Sequence, residues 1–146
     1  MELSCKSEYA ILALLELATN YQSGEPLQIR QIAAQQNIPD RYLEQLLATL
    51  RRGGIVKSQR GSKGGYLLTR DPWKITLLEV LACLEGLDKV KNCKEETQDK
   101  TTDSSIIEEI WQEACQAANS VLETYTLADL CEKRDACRQL NIMYYI

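Results

Sequence analysis

A leucine-striped stretch that runs directly into a glycine-tipped basic stretch constrains this chain more than any other feature. Four leucines recur at i, i+3, i+4 and i+7, which predicts one buried face of a helix: Leu43, Leu46, Leu47 and Leu50. Asp40 stands at the predicted N-cap, and Gly53-Gly54 supplies residues that end the helix. Strands are predicted at residues 55–60 and 66–69, with a turn at 61–65. Together with a preceding helix at 28–36 and a short turn at 37–39, this order predicts a winged helix-turn-helix.

Charge on this stretch points to a polyanionic partner. Five basic residues and no acidic residue occur from residue 51 to residue 63, although the chain has a net charge of −4. A helix with long polar side chains followed by a basic hairpin places donors in the DNA major groove and cations near phosphates or the minor groove. The candidate DNA-binding residues are Lys6, Gln28, Arg41, Tyr42, Glu44, Gln45, Arg51, Arg52, Lys57, Arg60, Gly61 and Lys63.

Composition excludes several other classes of protein. The chain has 146 residues, 45% of them hydrophobic and 26% charged, which is typical of one globular domain with an appendage. It contains no histidine and no P-loop, Rossmann or nucleophile-elbow motif, so we do not expect an enzyme. The N-terminus lacks a basic start, and Glu8 and Glu16 interrupt its apolar run, so we expect a cytoplasmic protein without a membrane span. The six cysteines show no zinc-site spacing and are expected to be reduced.

Several short motifs carry a family resemblance. YLEQL at 42–46, LRRGGIV at 50–56, RG at 60–61 and GGYLL at 64–68 resemble the signature of the Rrf2 family of winged helix-turn-helix transcription regulators. The similarity includes the first helix, through Leu3, Lys6, Tyr9 and Ala10, and the end of the chain, where MYYI resembles the branch that regulates cysteine metabolism. A segment at approximately residues 87–102 departs from the family pattern. The resemblance implies a homodimer that binds a pseudo-palindromic DNA operator.

The second half of the chain is acidic and predicts a different role. Residues 1–70 carry nine basic and six acidic side chains, whereas residues 71–146 carry eight basic and fifteen acidic ones. We therefore expect a DNA-binding domain at 1–86, closed by a helix with a capping box at Thr76, and a polar loop at 87–103. Residues 104–146 are expected to form a dimerisation helix and a C-terminal tail. The predicted fold class is mainly α with a small β-hairpin.

An apolar stripe follows a second predicted capping box at Ser105. The stripe either packs onto its own domain or forms a twofold seam, and its length favours the seam. The candidate interface residues are Ile107, Ile110, Trp111, Ala114, Ala118, Val121 and Leu122. After them, Thr126-x-x-Asp129 predicts the start of a last short helix, and residues 142–146 are apolar enough to dock as a strand or tail.

The sequence is compatible with three schemes for sensing a regulatory signal. Cys93 is a lone thiol in the polar loop, and it could react alone or pair with Cys131 or Cys137. Iron–sulfur members of the family hold three cysteines in this loop, and this chain keeps only Cys93, which matches the first of them. The second scheme is therefore a different cluster site between subunits on Glu8, Cys93 and Cys115, in which the role of Glu8 is implied by the resemblance. In the third scheme no cofactor is bound and a partner enzyme is the effector, as in the cysteine-metabolism branch. A winged-helix adaptor that contacts only proteins is the alternative function.

Overall fold

The computed structural model describes residues 2–86 and 101–144, which form helices around one antiparallel hairpin. The predictions for the segment between these ranges, including Cys93, lie outside the described residues. The helices are α1 (Cys5–Thr19), α2 (Ile29–Gln36), α3 (Asp40–Arg52), α4 (Leu77–Glu85), α5 (Thr102–Thr124) and α6 (Leu127–Tyr144), and the strands are β1 (Val56–Gln59) and β2 (Gly65–Leu68). Short 3-10 turns occupy Tyr21–Ser23 and Pro72–Lys74. The fold class is mainly α with a small β-hairpin, as predicted.

The apolar face of α3 forms the centre of the core. Its four leucines are all buried, with Leu43, Leu47 and Leu50 fully so. They pack with α1 and α2, as expected for the first three helices of a helix-turn-helix domain. The turn between α2 and α3 is tight because Asn37 adopts a left-handed conformation at φ 56°, and the Ile38 amide donates to the Ala33 carbonyl at 3.1 Å. This turn sets the direction in which α3 leaves the core.

The hairpin follows α3 after two glycines. Gly54 has φ +76°, a conformation that favours glycine, and the Ile55 amide then donates to the Leu50 carbonyl at 3.0 Å. The strands pair in antiparallel register with Val56 opposite Leu68 and Gln59 opposite Gly65. The hairpin is thereby joined rigidly to the end of α3, as the wing of a winged helix.

The C-terminal half joins the winged domain through backbone hydrogen bonds between residues 75–77 and 125–127 and through contacts of α6 with α1. The Leu77 amide donates to the Tyr125 carbonyl and the Leu127 amide to the Ile75 carbonyl, each at 3.0 Å. The predicted capping box at Thr126 is present, because its amide donates to Asp129 Oδ2 at 2.9 Å and the Asp129 amide donates to Thr126 Oγ1 at 3.2 Å. Leu127 is fully buried in the core. The first turn of α6 therefore belongs to the winged domain.

Four sequence predictions about local structure were wrong. Helix α5 begins at Thr102, because Thr101 and not Ser105 is its N-cap and Thr101 Oγ1 accepts from the Ser104 amide at 3.2 Å. Helix α6 is eighteen residues long, not short, and it includes residues 142–144 instead of releasing them as a strand or tail. It contains no glycine or proline that would end it earlier.

The fourth error concerns the first half of the chain. Pro39 occupies the N-cap position of α3, so Asp40 is the first helical residue, where its carboxylate still interacts favourably with the positive end of the helix dipole. In α1 the fully buried apolar positions are Ala10, Ala13 and Leu14, and Ile11 and Leu12 are half-buried and pack against the core. Helix α1 is apolar on most of its surface, so spacing alone does not identify the inner face.

Among the described helices, none is both long enough and apolar enough to cross a membrane.

Candidate nucleic-acid interface

The outer face of α3 presents the predicted reading residues to solvent. Arg41, Glu44 and Gln45 are exposed, directly opposite the buried leucines. Tyr42 is half-buried, and its ring packs edge-to-face on Tyr9 with the ring centroids 5.6 Å apart. The Tyr9 ring thus fixes the Tyr42 ring at the start of α3, and the three exposed side chains beside it are free to reach base edges.

Cations of the wing lie beside this face. Lys57, Arg60 and Lys63 are exposed, as is Gly61 at the tip, where φ is +117°. No ion pair or side-chain hydrogen bond links these three cations to another group within residues 2–86 and 101–144. Without an acid to neutralise them, they give the wing a positive potential that attracts phosphate.

Two arginines at the end of α3 are held by neighbouring hydroxyl groups. Arg51 Nη1 donates to Ser58 Oγ on β1 at 3.3 Å, and Arg52 Nη2 donates to Thr49 Oγ1 at 3.3 Å. Both side chains remain exposed. They extend the positive surface from the wing to the C-terminal end of α3.

The remaining two predicted contacts differ in setting. Gln28 is exposed immediately before α2, and its backbone amide donates to Gln31 Oε1 at 2.9 Å. Lys6 is half-buried, and its Nζ donates to the Leu84 carbonyl at the end of α4, at 3.1 Å. In this structure Lys6 therefore ties α1 to α4. Sequence reasoning missed Arg30, which is exposed in the first turn of α2 on the side of Arg51.

The predicted seam on α5 is largely uncovered. None of the 23 residues of α5 is buried. Ile107, Ile110, Trp111 and Val121 are 69%, 62%, 55% and 56% exposed. Of the other predicted members, Ala114 is exposed, and Ala118 and Leu122 are half-buried. An apolar surface of this extent is typical of an interaction site.

The candidate sensor and cluster residues are scattered. Cys137 is exposed and Cys131 is half-buried on the same helix, with the Cys131 Sγ 4.0 Å from the Leu15 carbonyl. Burial raises the pKa of Cys131, and the nearby Arg134 only partly offsets that effect. Glu8 is exposed on α1, whereas Cys115 is half-buried on α5.

The described residues do not by themselves fit an iron–sulfur cluster. Within them, no group of three or more histidine, cysteine or acidic side chains is placed to hold a metal ion. Of the three ligand candidates, the described ranges hold one carboxylate and one thiol, whereas clusters of this kind take four protein ligands, mostly thiolates.

The fold and this surface define a winged helix-turn-helix protein with a long additional helix. A family model described as "Rrf2: Iron-dependent Transcriptional regulator" matches residues 3–133. The chain therefore belongs to the Rrf2 family of transcriptional regulators, as its motifs predicted.

Relatives and solved structures agree with this membership. The chain is 35% identical over 147 residues to the transcriptional regulator CymR of Bacillus subtilis, covering 100% of both chains. It is 41% identical over 135 residues to a putative transcriptional regulator of Synechocystis, covering 89% of this chain and 87% of the relative. The structure of B. subtilis CymR, called the global cysteine regulator, superposes with a TM-score of 0.77 at 33% identity, covering 91% of this chain and 98% of the other. T. potens IscR gives a TM-score of 0.76 at 31% identity, covering 92% and 88%.

Proposed function

We propose that this chain is a homodimeric transcription regulator that binds a pseudo-palindromic DNA operator and that responds to a signal received by its C-terminal half. The observation that carries the DNA-binding part is the combination, on one face, of exposed Arg41, Glu44 and Gln45 with unpaired wing cations. Gln45 pairs with an adenine edge and Arg41 with a guanine edge in the major groove. Arg60 enters the adjacent minor groove, and Arg51, Arg52, Lys57 and Lys63 contact phosphates.

Dimerisation is proposed from the uncovered face of α5. A single reading helix contacts too few bases to select an operator, whereas two related by a twofold axis read two half-sites about one DNA turn apart. The exposed stripe on α5 is self-complementary in chemistry, and a twofold axis brings the same patch together from both subunits. The acidic charge of this half keeps it away from the phosphates.

Salt-dependent retention on DNA tests this function. A duplex recovered by binding-site selection is titrated with protein at several salt concentrations, and we expect affinity to fall steeply as salt rises. A protein-interaction adaptor would show no steep dependence on salt, and selection would recover no common sequence. Either result would contradict the proposal.

The signal is proposed to enter between α4 and α5, where Cys93 lies in the sequence. Cys93 reacts alone, forms a disulfide with Cys137 or Cys131, or contributes to a cluster together with Glu8 and Cys115. Cys137 is the more accessible of the two disulfide candidates, because it is exposed and Cys131 is half-buried. A partner enzyme as effector is the remaining scheme, implied by the resemblance of the MYYI sequence at 143–146 to the cysteine-metabolism branch of the family.

Two measurements separate these schemes. Protein purified without oxygen gives a visible absorption spectrum only if a cluster is bound. The Cys93→Ser variant is expected to fold and dimerise normally while its DNA affinity no longer changes with oxidant or cluster loss. A complete response in Cys93→Ser would transfer the sensor to Cys137 or Cys131, or to a partner protein.

A further inference from the structure

A groove of about 380 Å³ separates the start of α2 from the end of α3 and the wing. It lies beside the reading face, and three separate elements contribute to its walls. The residues that line it include Gln28, Arg30, Arg51, Ser58, Gln59 and Tyr66. No acidic residue lines it. The groups available to an anion in the groove are therefore the guanidinium groups of Arg30 and Arg51 and the amides of Gln28 and Gln59, with no carboxylate to repel it.

The walls of the groove are held together by backbone hydrogen bonds. The Leu27 amide donates to the Tyr66 carbonyl at 3.0 Å, and the Tyr66 amide donates to the Leu27 carbonyl at 2.8 Å. This bridge fastens β2 to the residue that leads into α2. The close approach requires a glycine next to it, because a Cβ on Gly65 would overlap the Leu27 carbonyl. The groove is thus set by the backbone, so a ligand does not have to assemble it.

The two arginines reach the groove from opposite walls. Arg51 is oriented by its hydrogen bond to Ser58 Oγ on β1, which uses one of its five N–H donors and leaves four. Arg30 comes from the first turn of α2 and is exposed, and its side chain has no hydrogen-bond or ion-pair partner within residues 2–86 and 101–144. Guanidinium groups bind phosphate oxygens through paired N–H donors. Two of them from different walls match one tetrahedral phosphate.

We infer that Arg30 and Arg51 together bind a single phosphate of the DNA backbone in this groove, and that Arg30 is a DNA-positioning residue of this chain. The inference rests on the proposed function and adds to it. A phosphate held between α2 and the wing fixes the register of α3 in the major groove, because both walls are rigidly joined to α3. Arg51 holds the phosphate from the end of α3 beside β1, whereas Arg30 holds it from the start of α2.

The test uses the full-length protein and a duplex obtained by binding-site selection with the wild-type chain. Neutral methylphosphonate groups replace the phosphates one at a time, and the affinity for each duplex is measured. For the wild type we expect about a tenfold loss at each phosphate that accepts hydrogen bonds from a charged donor. Arg30→Gln should bind the unmodified duplex more weakly, and it should lose less affinity than the wild type at one of those phosphates in each half-site. Arg51→Gln should show the reduced loss at the same phosphate.

Arg138→Gln is the matched control, because Arg138 is exposed on α6 and its removal changes net charge equally. It should keep the wild-type pattern of sensitive phosphates. Equal melting temperatures of the variants exclude a folding defect. An undiminished loss of affinity at every wild-type position in Arg30→Gln would overturn the inference. So would a reduced loss at different phosphates in Arg30→Gln and Arg51→Gln.

Two further results distinguish a backbone phosphate from a free anion and from the absence of DNA binding. If the wild type has no sensitive phosphate, the proposed DNA-binding function itself fails and the inference with it. Inorganic phosphate added at constant ionic strength should weaken the wild type no more than Arg30→Gln. A specific weakening of the wild type would mean that the groove takes a free anion, which contradicts a backbone phosphate as the ligand.

Discussion

Helices α3 and α5 differ sharply in how much of their own surface the chain covers. Helix α3 has 13 residues and buries four leucines, whereas α5 has 23 residues and buries none. Burial of apolar area is the main favourable term in folding, so α3 is stabilised by its own chain. Helix α5 keeps an uncovered apolar face, and burial of that face would require another surface. We therefore expect the reading head to fold as a unit and the long helix to be stabilised by the proposed assembly.

The largest expected effect is on assembly. Replacing Ile110 and Trp111 together by alanine should give monomers, because a dimer would bury on the order of 300 Å² of their apolar surface, worth roughly 7 kcal/mol before association costs. Sedimentation measures the state, and operator affinity should fall with it. Trp73→Ala is the control, since Trp73 is 56% exposed and Trp111 is 55% exposed. If the double variant sediments as a dimer, α5 is not the seam.

A buried and an exposed leucine test whether the core is centred on α3. Leu47 is fully buried under α3, whereas Leu140 on α6 is 57% exposed. Leu47→Ala should lower the free energy of unfolding by about 2–5 kcal/mol, because it leaves a cavity in the core. Leu140→Ala should change it by less than about 0.5 kcal/mol. Urea unfolding at a fixed protein concentration measures both, and equal losses would contradict a core centred on α3.

Sequence predicts the two helices to different extents for physical reasons. The stripe of α3 has one apolar face, so periodicity alone identifies Leu43 and Leu50 as core, and the glycines identify the turn into the wing. The start of α5 lies within residues 101–105, which are TTDSS. Every one of these is a good N-cap, so only tertiary context selects Thr101. The Thr126–Asp129 capping pair identifies the start of helix α6, but no glycine or proline marks its end, so its length does not follow from the sequence.

Among the candidate site residues, too, sequence predicts the positions that follow from a local pattern and not those that depend on tertiary contacts. The polar residues of α3 are exposed because they lie opposite a regular leucine stripe, so their location follows from the sequence. The position of Arg30 in the groove depends on the backbone bridge between Leu27 and Tyr66, which joins residues 39 positions apart. No local pattern encodes such a contact. The hydrogen bond from Lys6 to Leu84 is likewise a tertiary contact, and it gives Lys6 a structural role that the motif did not predict.

Base reading by α3 should give a smaller effect than the core. Gln45→Ala should cost about 1–3 kcal/mol on the preferred operator and almost nothing on sequences that lack the recognised adenine, because a bidentate amide contact is lost. Binding-site selection followed by anisotropy measures the difference. Gln139→Ala on α6 is the control, since Gln139 is also exposed. An equal loss on all sequences would show that Gln45 does not read bases.

The smallest expected effect separates two thiols of one helix. Burial raises the pKa of Cys131, whereas Cys137 lies exposed six residues further along α6. Alkylation requires the thiolate, so near neutral pH Cys131 should react more slowly with iodoacetamide than Cys137. The rate at Cys131 should still be increasing at pH values above the usual range of a thiol, because burial raises its pKa and delays its ionisation. Mass spectrometry of timed samples measures both rates within one protein, and exposed Cys5 provides an internal reference. If Cys131 reacts as fast as Cys137 at every pH, the first turns of α6 open in solution. The start of α6 would then not differ from its exposed C-terminal end in how firmly it packs on the winged domain.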